Sequence, residues 1–168
     1  MIAVVGGKHS GKTTVIENLI RELRRRKNRL GTVKEMVQIP TLDTPATETD
    51  RYSKAGAEII VAVPRNETVV FIKKRLDLKD ILPYLNRIDF VFVEGFELEN
   101  SLPKIVAAKT AKEAASYLDD SAIAVSGLIV EVEAEKKKAE EFGIPILNCL
   151  SQVKELADLA ERKAALLS

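Results

Sequence analysis

The 168-residue chain contains 46% hydrophobic and 30% charged residues, a globular composition that excludes collagen-like, disordered and disulfide-stapled proteins. Its 26 Lys and Arg residues nearly balance 25 Asp and Glu residues, leaving a net charge of +1, which argues against a protein that coats nucleic acid or an anionic membrane. A single cysteine and a single histidine exclude an internal disulfide and a Cys/His zinc cluster.

The N-terminal third of the chain predicts alternating strands and helices. Residues 2–5 predict a short buried strand, because a β-branched run leads directly into two glycines. Apolar residues at helical spacing then predict a helix over residues 12–27. A second strand is expected over residues 30–37. Residues 40–48 are rich in Thr, Pro and Asp and predict a loop, with a short helix before Gly56.

A segment over residues 57–73 interrupts this alternation. Two β-branched runs, 59–63 and 68–72, are joined by Pro64-Arg65-Asn66-Glu67, a pattern that predicts a β-hairpin. We expect this hairpin to be an edge insertion or an oligomer contact. No composition break marks a linker, so we expect one nucleotide-binding domain over residues 1–168.

The second half of the chain returns to alternating elements. The expected elements are a helix over 78–85, a strand over 90–93, a loop over 97–103, a strand over 105–107, a helix over 111–118, a strand over 123–125, an ambiguous strand over 128–132, a helix over 133–142, a strand over 144–147 and a helix over 153–166. Strands that alternate with helices are typical of an α/β fold with a mostly parallel sheet.

The apolar runs bear on localisation. They extend over only a few residues, against the ~20 that a membrane helix needs, and the N-terminal run is too short for a signal peptide. With the balanced charge, this predicts a cytoplasmic protein without membrane or nucleic-acid partners.

A phosphate-binding motif lies between the first predicted strand and helix. It reads Gly6-Gly7-Lys8-His9-Ser10-Gly11-Lys12-Thr13 and fits G-x-x-x-x-G-K-[ST] without a mismatch. Glycines let the backbone curve around phosphate and direct consecutive N–H groups inward, and the following helix adds its dipole. These eight residues with Thr14 are the predicted nucleotide-binding residues. The motif and element order together predict a P-loop NTPase-like, three-layer α/β fold with a mostly parallel twisted sheet.

Within the motif, Lys12 is expected to reach the β- and γ-phosphates, and the Thr13 hydroxyl is expected to bind Mg²⁺. A P-loop protein also needs a carboxylate near the metal. Asp89 and Glu94 flank the strand over 90–93 and stand roughly 17 Å apart, so only one can serve. Because ligands collect at the carboxyl edge of such sheets, Glu94 is the candidate, and Gly95 permits close backbone approach or an unusual turn.

Four stretches together resemble the molybdopterin-guanine dinucleotide biosynthesis protein B family. They are residues 10–20, beginning Ser10-Gly11-Lys12-Thr13-Thr14; residues 43–57, beginning Asp43-Thr44-Pro45; residues 89–96, ending Glu94-Gly95-Phe96; and Pro103-Lys104-Ile105. The resemblance covers residues 1–108. The last two stretches are specific as a pair, whereas many families share the P-loop.

The resemblance implies a GTP-binding accessory protein, often dimeric, that hydrolyses GTP slowly. Members assist the guanylyltransferase that attaches a guanine nucleotide to molybdopterin. The expected cofactors are therefore GTP and Mg²⁺, and the expected partners are the molybdenum cofactor guanylyltransferase, molybdopterin and a second copy of the chain. In this hypothesis Lys12 and Glu94 act in catalysis, Thr13 and Glu94 organise the metal, and Glu48 or Asp50 reaches the metal or a water.

The chain departs from the family pattern at several positions. The family's Lys-His is replaced by Lys34-Glu35, and its Arg-His by Arg51-Tyr52. Ser126-Gly127 stands where the family tends to end a strand with aspartate. These departures leave the P-loop and the metal candidates intact and bear on guanine selectivity.

Two other functions stay open on the sequence alone. A P-loop small-molecule kinase would need an acceptor pocket and a basic lid, for which Arg51, Lys54 and Arg65 are the candidates. A non-catalytic nucleotide-binding scaffold is suggested by the apolar hairpin, whose edge can pair with a second copy. No arginine is assigned as a finger acting in cis, a group worth ~10³ to 10⁵ in rate.

Overall fold

The computed structural model describes residues 1–96 and 101–165. In chain order the elements are β1 (Ile2–Val5), α1 (Lys12–Arg25), β2 (Leu30–Lys34), α2 (Glu48–Lys54), β3 (Ile59–Ala62), β4 (Val69–Ile72), α3 (Leu78–Ile81), β5 (Phe90–Glu94), β6 (Lys104–Ala107), α4 (Ala111–Ala115), β7 (Ala122–Ser126), α5 (Glu133–Ala139) and α6 (Val153–Ala165). Short 3-10 turns cover Leu82–Leu85, Leu128–Glu131 and Glu140–Phe142.

The chain divides into two compact units. The larger combines Met1–Glu35 with Arg87–Ser168, and the smaller is Met36–Asn86. In the larger unit five parallel strands form a sheet in the order β2-β5-β1-β6-β7. The register pairs both Val4 and Lys34 with Glu94, so the carboxyl ends of β1, β2 and β5 meet at one edge.

Helices cover both faces of this sheet. Residues Ile2 and Val4 of β1 pack with α1 and α6, in a core that includes Val15, Leu19, Leu23, Leu156 and Ala160. The alternate residues Ala3 and Val5 pack with α4 and α5, in a core that includes Ala111, Ala114, Ile129 and Ala139. Successive strand side chains point to opposite faces, so β1 is buried on both. The predicted three-layer α/β fold with a parallel sheet is confirmed.

The smaller unit contains an antiparallel hairpin, as the sequence predicted. Strand β3 pairs with β4 from Ile59 opposite Ile72 to Ala62 opposite Val69, and the two form a sheet of their own. The loop that precedes α2 is held by the buried Asp43. Its carboxylate accepts a hydrogen bond from Lys73, directly after β4, at 2.5 Å. The lysine holds the pKa of this carboxyl below its usual value. That residues 1–168 act as one nucleotide-binding domain stays a prediction.

Several predicted elements have different lengths or types in the structure. The second strand ends at Lys34, and residues 128–131 form a 3-10 turn where a strand was expected. Gly127 precedes that turn at φ +89°, which redirects the backbone out of the sheet. Residues 144–147 contribute a bridge between Val125 and Ile146, because Pro145 has no N–H to extend a ladder.

Two expectations fall partly on residues that are not described. Of the loop predicted over 97–103, residues 97–100 lie outside the described residues, and so does Leu166 at the end of the closing helix. Among the helices within 1–96 and 101–165, none is long and apolar enough to cross a membrane.

Candidate functional site

The P-loop joins β1 directly to α1, as predicted. Gly6 and Gly11 adopt positive φ angles of 140° and 96°, and Gly11 is the N-cap of α1 without a side-chain bond. A β-carbon at Gly6 would lie 1.9 Å from the carbonyl oxygen of Ala107, so β6 passes too close for any other residue. His9 also has a positive φ of 60°. Where right-handed and left-handed residues alternate, successive backbone N–H groups form a concave nest that binds anions.

Lys12 folds back onto the beginning of the loop. Its Nζ donates hydrogen bonds to the carbonyl oxygens of Gly6 and Gly7, both at 2.7 Å. These bonds hold the ammonium charge against the loop, whose amides are the donors expected to bind an anion. A phosphate bound by those amides would therefore meet a positive charge that is already in position.

The end of β7 supports the middle of the loop. A β-carbon at Gly127 would lie 2.4 Å from the carbonyl oxygen of Ser10, and the Leu128 N–H donates to the same oxygen at 3.2 Å. The sequence analysis missed Gly127 as a site residue. A glycine directly after a core strand was the available signal.

The segment before α4 supports the first half of the loop. The Lys109 ammonium donates to the carbonyl oxygen of Lys8 at 3.1 Å, and the Glu113 carboxylate accepts from the Lys109 N–H at 2.7 Å. A β-carbon at Gly7 would lie 2.0 Å from Glu113 Oε1. Sequence reasoning missed both residues, since no local pattern links positions 100 residues apart.

One buried hydroxyl in the loop has no hydrogen bond. Ser10 is buried, and its Oγ has no partner among the described residues. Leaving a buried polar group unpaired costs about 1–3 kcal/mol, a cost that an anion oxygen or a water in the loop removes. With the close glycines, this unpaired hydroxyl fits a loop built for a phosphate group.

An open cavity of about 460 Å³ lies against the loop. Its lining residues are Lys8, His9, Ser10, Gly11, Lys12, Thr13, Thr14, Glu94 and Leu128. The structure therefore brings seven predicted nucleotide-binding residues together with Glu94. Gly6 and Gly7 do not line the cavity, because their backbone carries the turn and the Lys12 contacts.

Glu94 ends β5 beside this cavity. Its side chain is 15% exposed, and Lys34 Nζ at the end of β2 lies 3.0 Å from Oε1. A carboxylate with so little solvent needs a neighbouring positive charge, which Lys34 supplies. Thr13 and Glu94 present a hydroxyl and a carboxylate to the same cavity, and Mg²⁺ prefers oxygen ligands of this kind together with phosphates.

The turn after Glu94 depends on Gly95. The φ of Gly95 is +91°, and a β-carbon there would lie 2.7 Å from Glu35 Cβ. The Glu35 carboxylate accepts a hydrogen bond from the Phe96 N–H at 2.8 Å. Glu35 therefore holds the backbone that follows Glu94.

Asp89, the other carboxylate flanking β5, has a structural partner. It accepts hydrogen bonds from the Arg29 N–H and from Arg29 Nη2, both at 2.7 Å. These bonds lower the pKa of Asp89 to about 2. The residue lies at the amino end of β5, away from the carboxyl edge at which the P-loop begins.

The other metal candidates lie in the smaller unit. Glu48 is the exposed first residue of α2. Asp50 is hydrogen-bonded to Lys54 and to the Ala46 N–H, which together keep its pKa low. Their approach to a metal at Thr13 stays a prediction. Over the described ranges no group of three or more His, Cys, Asp or Glu side chains is arranged to hold a metal.

Comparisons with known proteins agree on one family. Residues 1–128 match the family model described as molybdopterin guanine dinucleotide synthesis protein B. A Methanocaldococcus jannaschii protein described as a molybdopterin-guanine dinucleotide biosynthesis adapter protein is 38% identical over 125 residues. That match covers 71% of this chain and 51% of the relative, so the chain spans about half of the relative's length. A Bacillus subtilis protein with the same description is 26% identical over 88% of this chain and 84% of that protein.

Solved structures show the same fold. The crystal structure of Bacillus subtilis MobB superposes with a TM-score of 0.75 at 24% identity and covers 96% of both chains. A MobB protein homolog from Bacillus stearothermophilus gives a TM-score of 0.67 at 23% identity, over 98% of this chain and 97% of that one.

Proposed function

The chain belongs to the molybdopterin guanine dinucleotide synthesis protein B family, and from this premise we propose that it is a Mg²⁺-dependent, GTP-binding adapter protein of molybdopterin guanine dinucleotide synthesis. The observation that carries the proposal is the P-loop, in which Lys12 is held by Gly6 and Gly7 and the Ser10 hydroxyl lacks a partner among the described residues. Both features favour a bound triphosphate.

Each site residue has a role in this proposal. The loop amides and Lys12 hold the phosphates, and Thr13 and Glu94 hold Mg²⁺. The metal neutralises charge on the phosphate oxygens. Glu48 or Asp50 is proposed to orient a water or the metal, and Lys34 balances the charge of Glu94 while no metal is bound.

Hydrolysis by the chain alone is proposed to be slow. The basic side chains that line the phosphate cavity are those of Lys8, His9 and Lys12. An arginine finger is worth ~10³ to 10⁵ in rate, and no arginine lines this cavity among the described residues. The nucleotide would then act mainly as a ligand that sets the state of an adapter.

The partners follow from the adapter role. We propose that the chain works beside the guanylyltransferase that joins the guanine nucleotide to molybdopterin, in the cytoplasm, and as a homodimer. Support for the homodimer comes from the hairpin, where Ile59, Val61, Val63 and Val70 are 49–74% exposed. Val61 pairs with Val70, so these side chains form one apolar face, and such faces mark interaction sites.

Titration calorimetry with GTP and Mg²⁺ tests the nucleotide proposal. Replacing Lys12 by alanine is expected to weaken binding by at least about tenfold, or 1.4 kcal/mol, since the charge against the loop is lost. Lys154→Ala is the matched control, because this exposed lysine on α6 does not line the cavity. Equal affinity of Lys12→Ala and the unaltered protein would contradict the proposal.

A further inference from the structure

A second cavity adjoins the phosphate cavity. Its volume is about 30 Å³, and it shares Gly11, Thr14 and Leu128 with the larger one. The residues that line only the second cavity are Gly127, Val130, Glu131, Asn148, Cys149 and Leu150. When the phosphates of a nucleotide occupy the P-loop, its nucleoside must lie against one side of the phosphate cavity. The shared residues make this side continuous with the second cavity.

Two exposed leucines flank the second cavity. Leu128 is 41% exposed and Leu150 is 59% exposed, although neighbouring Ile129 and Cys149 are buried. A space of about 30 Å³ has room for water but not for a purine ring. A ring would enter only once the side chains of Leu128 and Leu150 have rotated outward. Their apolar surfaces would then cover the faces of the ring.

A free carboxylate and an oriented carboxamide form the polar part of the lining. Glu131 is exposed, and among residues 1–96 and 101–165 its carboxylate has neither a hydrogen bond nor an ion pair. Asn148 Oδ1 accepts from the Leu150 N–H at 2.8 Å and from the Ser151 N–H at 3.2 Å. Because the oxygen is used in this turn, the amide nitrogen Nδ2 is the group that remains to donate.

One acceptor group and one donor group match the edge of guanine. Guanine presents N1–H and N2–H₂ donors next to the O6 acceptor, whereas adenine presents an N1 lone pair where guanine has N1–H. A carboxylate accepts from both guanine donors and would face a lone pair on adenine. The amide nitrogen of Asn148 is then available to O6.

We propose that this second cavity is the nucleobase subsite, and that Glu131, together with Asn148, selects guanine over adenine. The inference rests on the proposed nucleotide-binding function. It places base selection on the 3-10 turn after β7 and on the segment before α6, and so assigns it to residues other than Ser126-Gly127.

Binding of GTP, ITP, XTP and ATP in the presence of Mg²⁺ tests this assignment. The unaltered protein is expected to prefer GTP over ATP and over ITP, which lacks the N2 amino group. Glu131→Gln is expected to lower GTP affinity at least about tenfold, a loss typical of one charged hydrogen-bonding partner, and to leave ATP within about twofold. Affinity for XTP is expected to rise relative to GTP, because the glutamine amide donates to the xanthine O2.

Glu133→Gln is the matched control, because this exposed glutamate begins α5 and does not line the cavity. An unchanged ratio of GTP to ATP affinity in Glu131→Gln would overturn the assignment. Equal binding of GTP and ATP by the unaltered protein would overturn base selection and leave the P-loop proposal standing. Triphosphate binding that survives Lys12→Ala would instead contradict the proposed function itself. Thermal unfolding of each variant checks that the fold is retained.

Discussion

The two units of the molecule are stabilised in different ways. In the larger unit the P-loop lies among the buried strands β1, β6 and β7, and backbone atoms of Ala107 and Ser10 leave no space for side chains at Gly6 and Gly127. In the smaller unit α2 has no buried residue, and the loop before it is anchored by the polar contacts of Asp43. Its hairpin leaves one apolar face exposed.

This difference separates the two kinds of function expected in the chain. A loop fixed by close backbone packing is preorganised for a ligand, and its shape tolerates little change. A hairpin with an exposed apolar face suits contact with another protein, and substitutions there should act on association before they act on folding.

The largest effect is expected where the loop is packed most closely. Gly6→Ala would place a β-carbon 1.9 Å from the Ala107 oxygen, and we expect a loss of about 3 kcal/mol or more in the free energy of unfolding. Gly56→Ala in the smaller unit is the matched substitution, because its φ is +110° but nothing lies within 4 Å. It should cost only about 1–2 kcal/mol. Urea denaturation measures both, and equal losses would contradict the comparison.

An intermediate effect is expected on the formation of the proposed homodimer. Val61→Lys places a charge on the apolar face of the hairpin and should raise the dimer dissociation constant at least about tenfold, since a buried unpaired charge is costly. Light scattering over a concentration series measures it. Val37→Lys is the control, because Val37 is exposed and lies in the same unit outside the hairpin. A monomeric unaltered protein at high concentration would refute the homodimer.

The smallest effect is expected from an ion pair of the larger unit. The pKa of Asp89 is lowered from 3.8 to about 2 by Arg29, so its contribution to stability is complete only well above pH 3.8 and is lost progressively as the pH falls through about 2. Arg29→Gln should therefore lower the thermal midpoint slightly at pH 7, and this difference should shrink as the pH falls toward 2, where Asp89 becomes partly protonated in the folded protein. Arg24→Gln, at an exposed position of α1, should change neither value. A difference for Arg29→Gln that is as large at pH 2 as at pH 7 would contradict this explanation.

The sequence predicted the features that depend on neighbouring residues. The P-loop, α1 and the hairpin each follow from spacing within a short window, and Glu94 follows from its place at the end of a buried strand. The packing partners of the loop could not be predicted in the same way. Gly127 and Glu113 contact residues more than 100 positions earlier, and those contacts exist only after the sheet has formed.

Apolar runs alone did not distinguish strands from turns. Residues 128–131 are apolar up to Glu131 and resemble a strand, but the preceding Gly127 turns the backbone toward Ser10 and the segment becomes a 3-10 turn. The same turn carries Glu131 into the second cavity. Sequence reasoning considered the strand end at Ser126-Gly127 for base selection, and therefore did not consider this glutamate.

The contact between Gly127 and Ser10 makes the eight-residue motif non-transferable. If residues 6–13 were transplanted into another strand–helix junction, every residue of the motif would be present. The neighbouring backbone of Ala107 and Gly127, which fixes the shape of the loop, would be absent. A deletion of β7 would likewise leave the motif in the sequence but remove the backbone that packs against it. Anyone who engineers this phosphate-binding loop should therefore keep or change positions 10, 107 and 127 together.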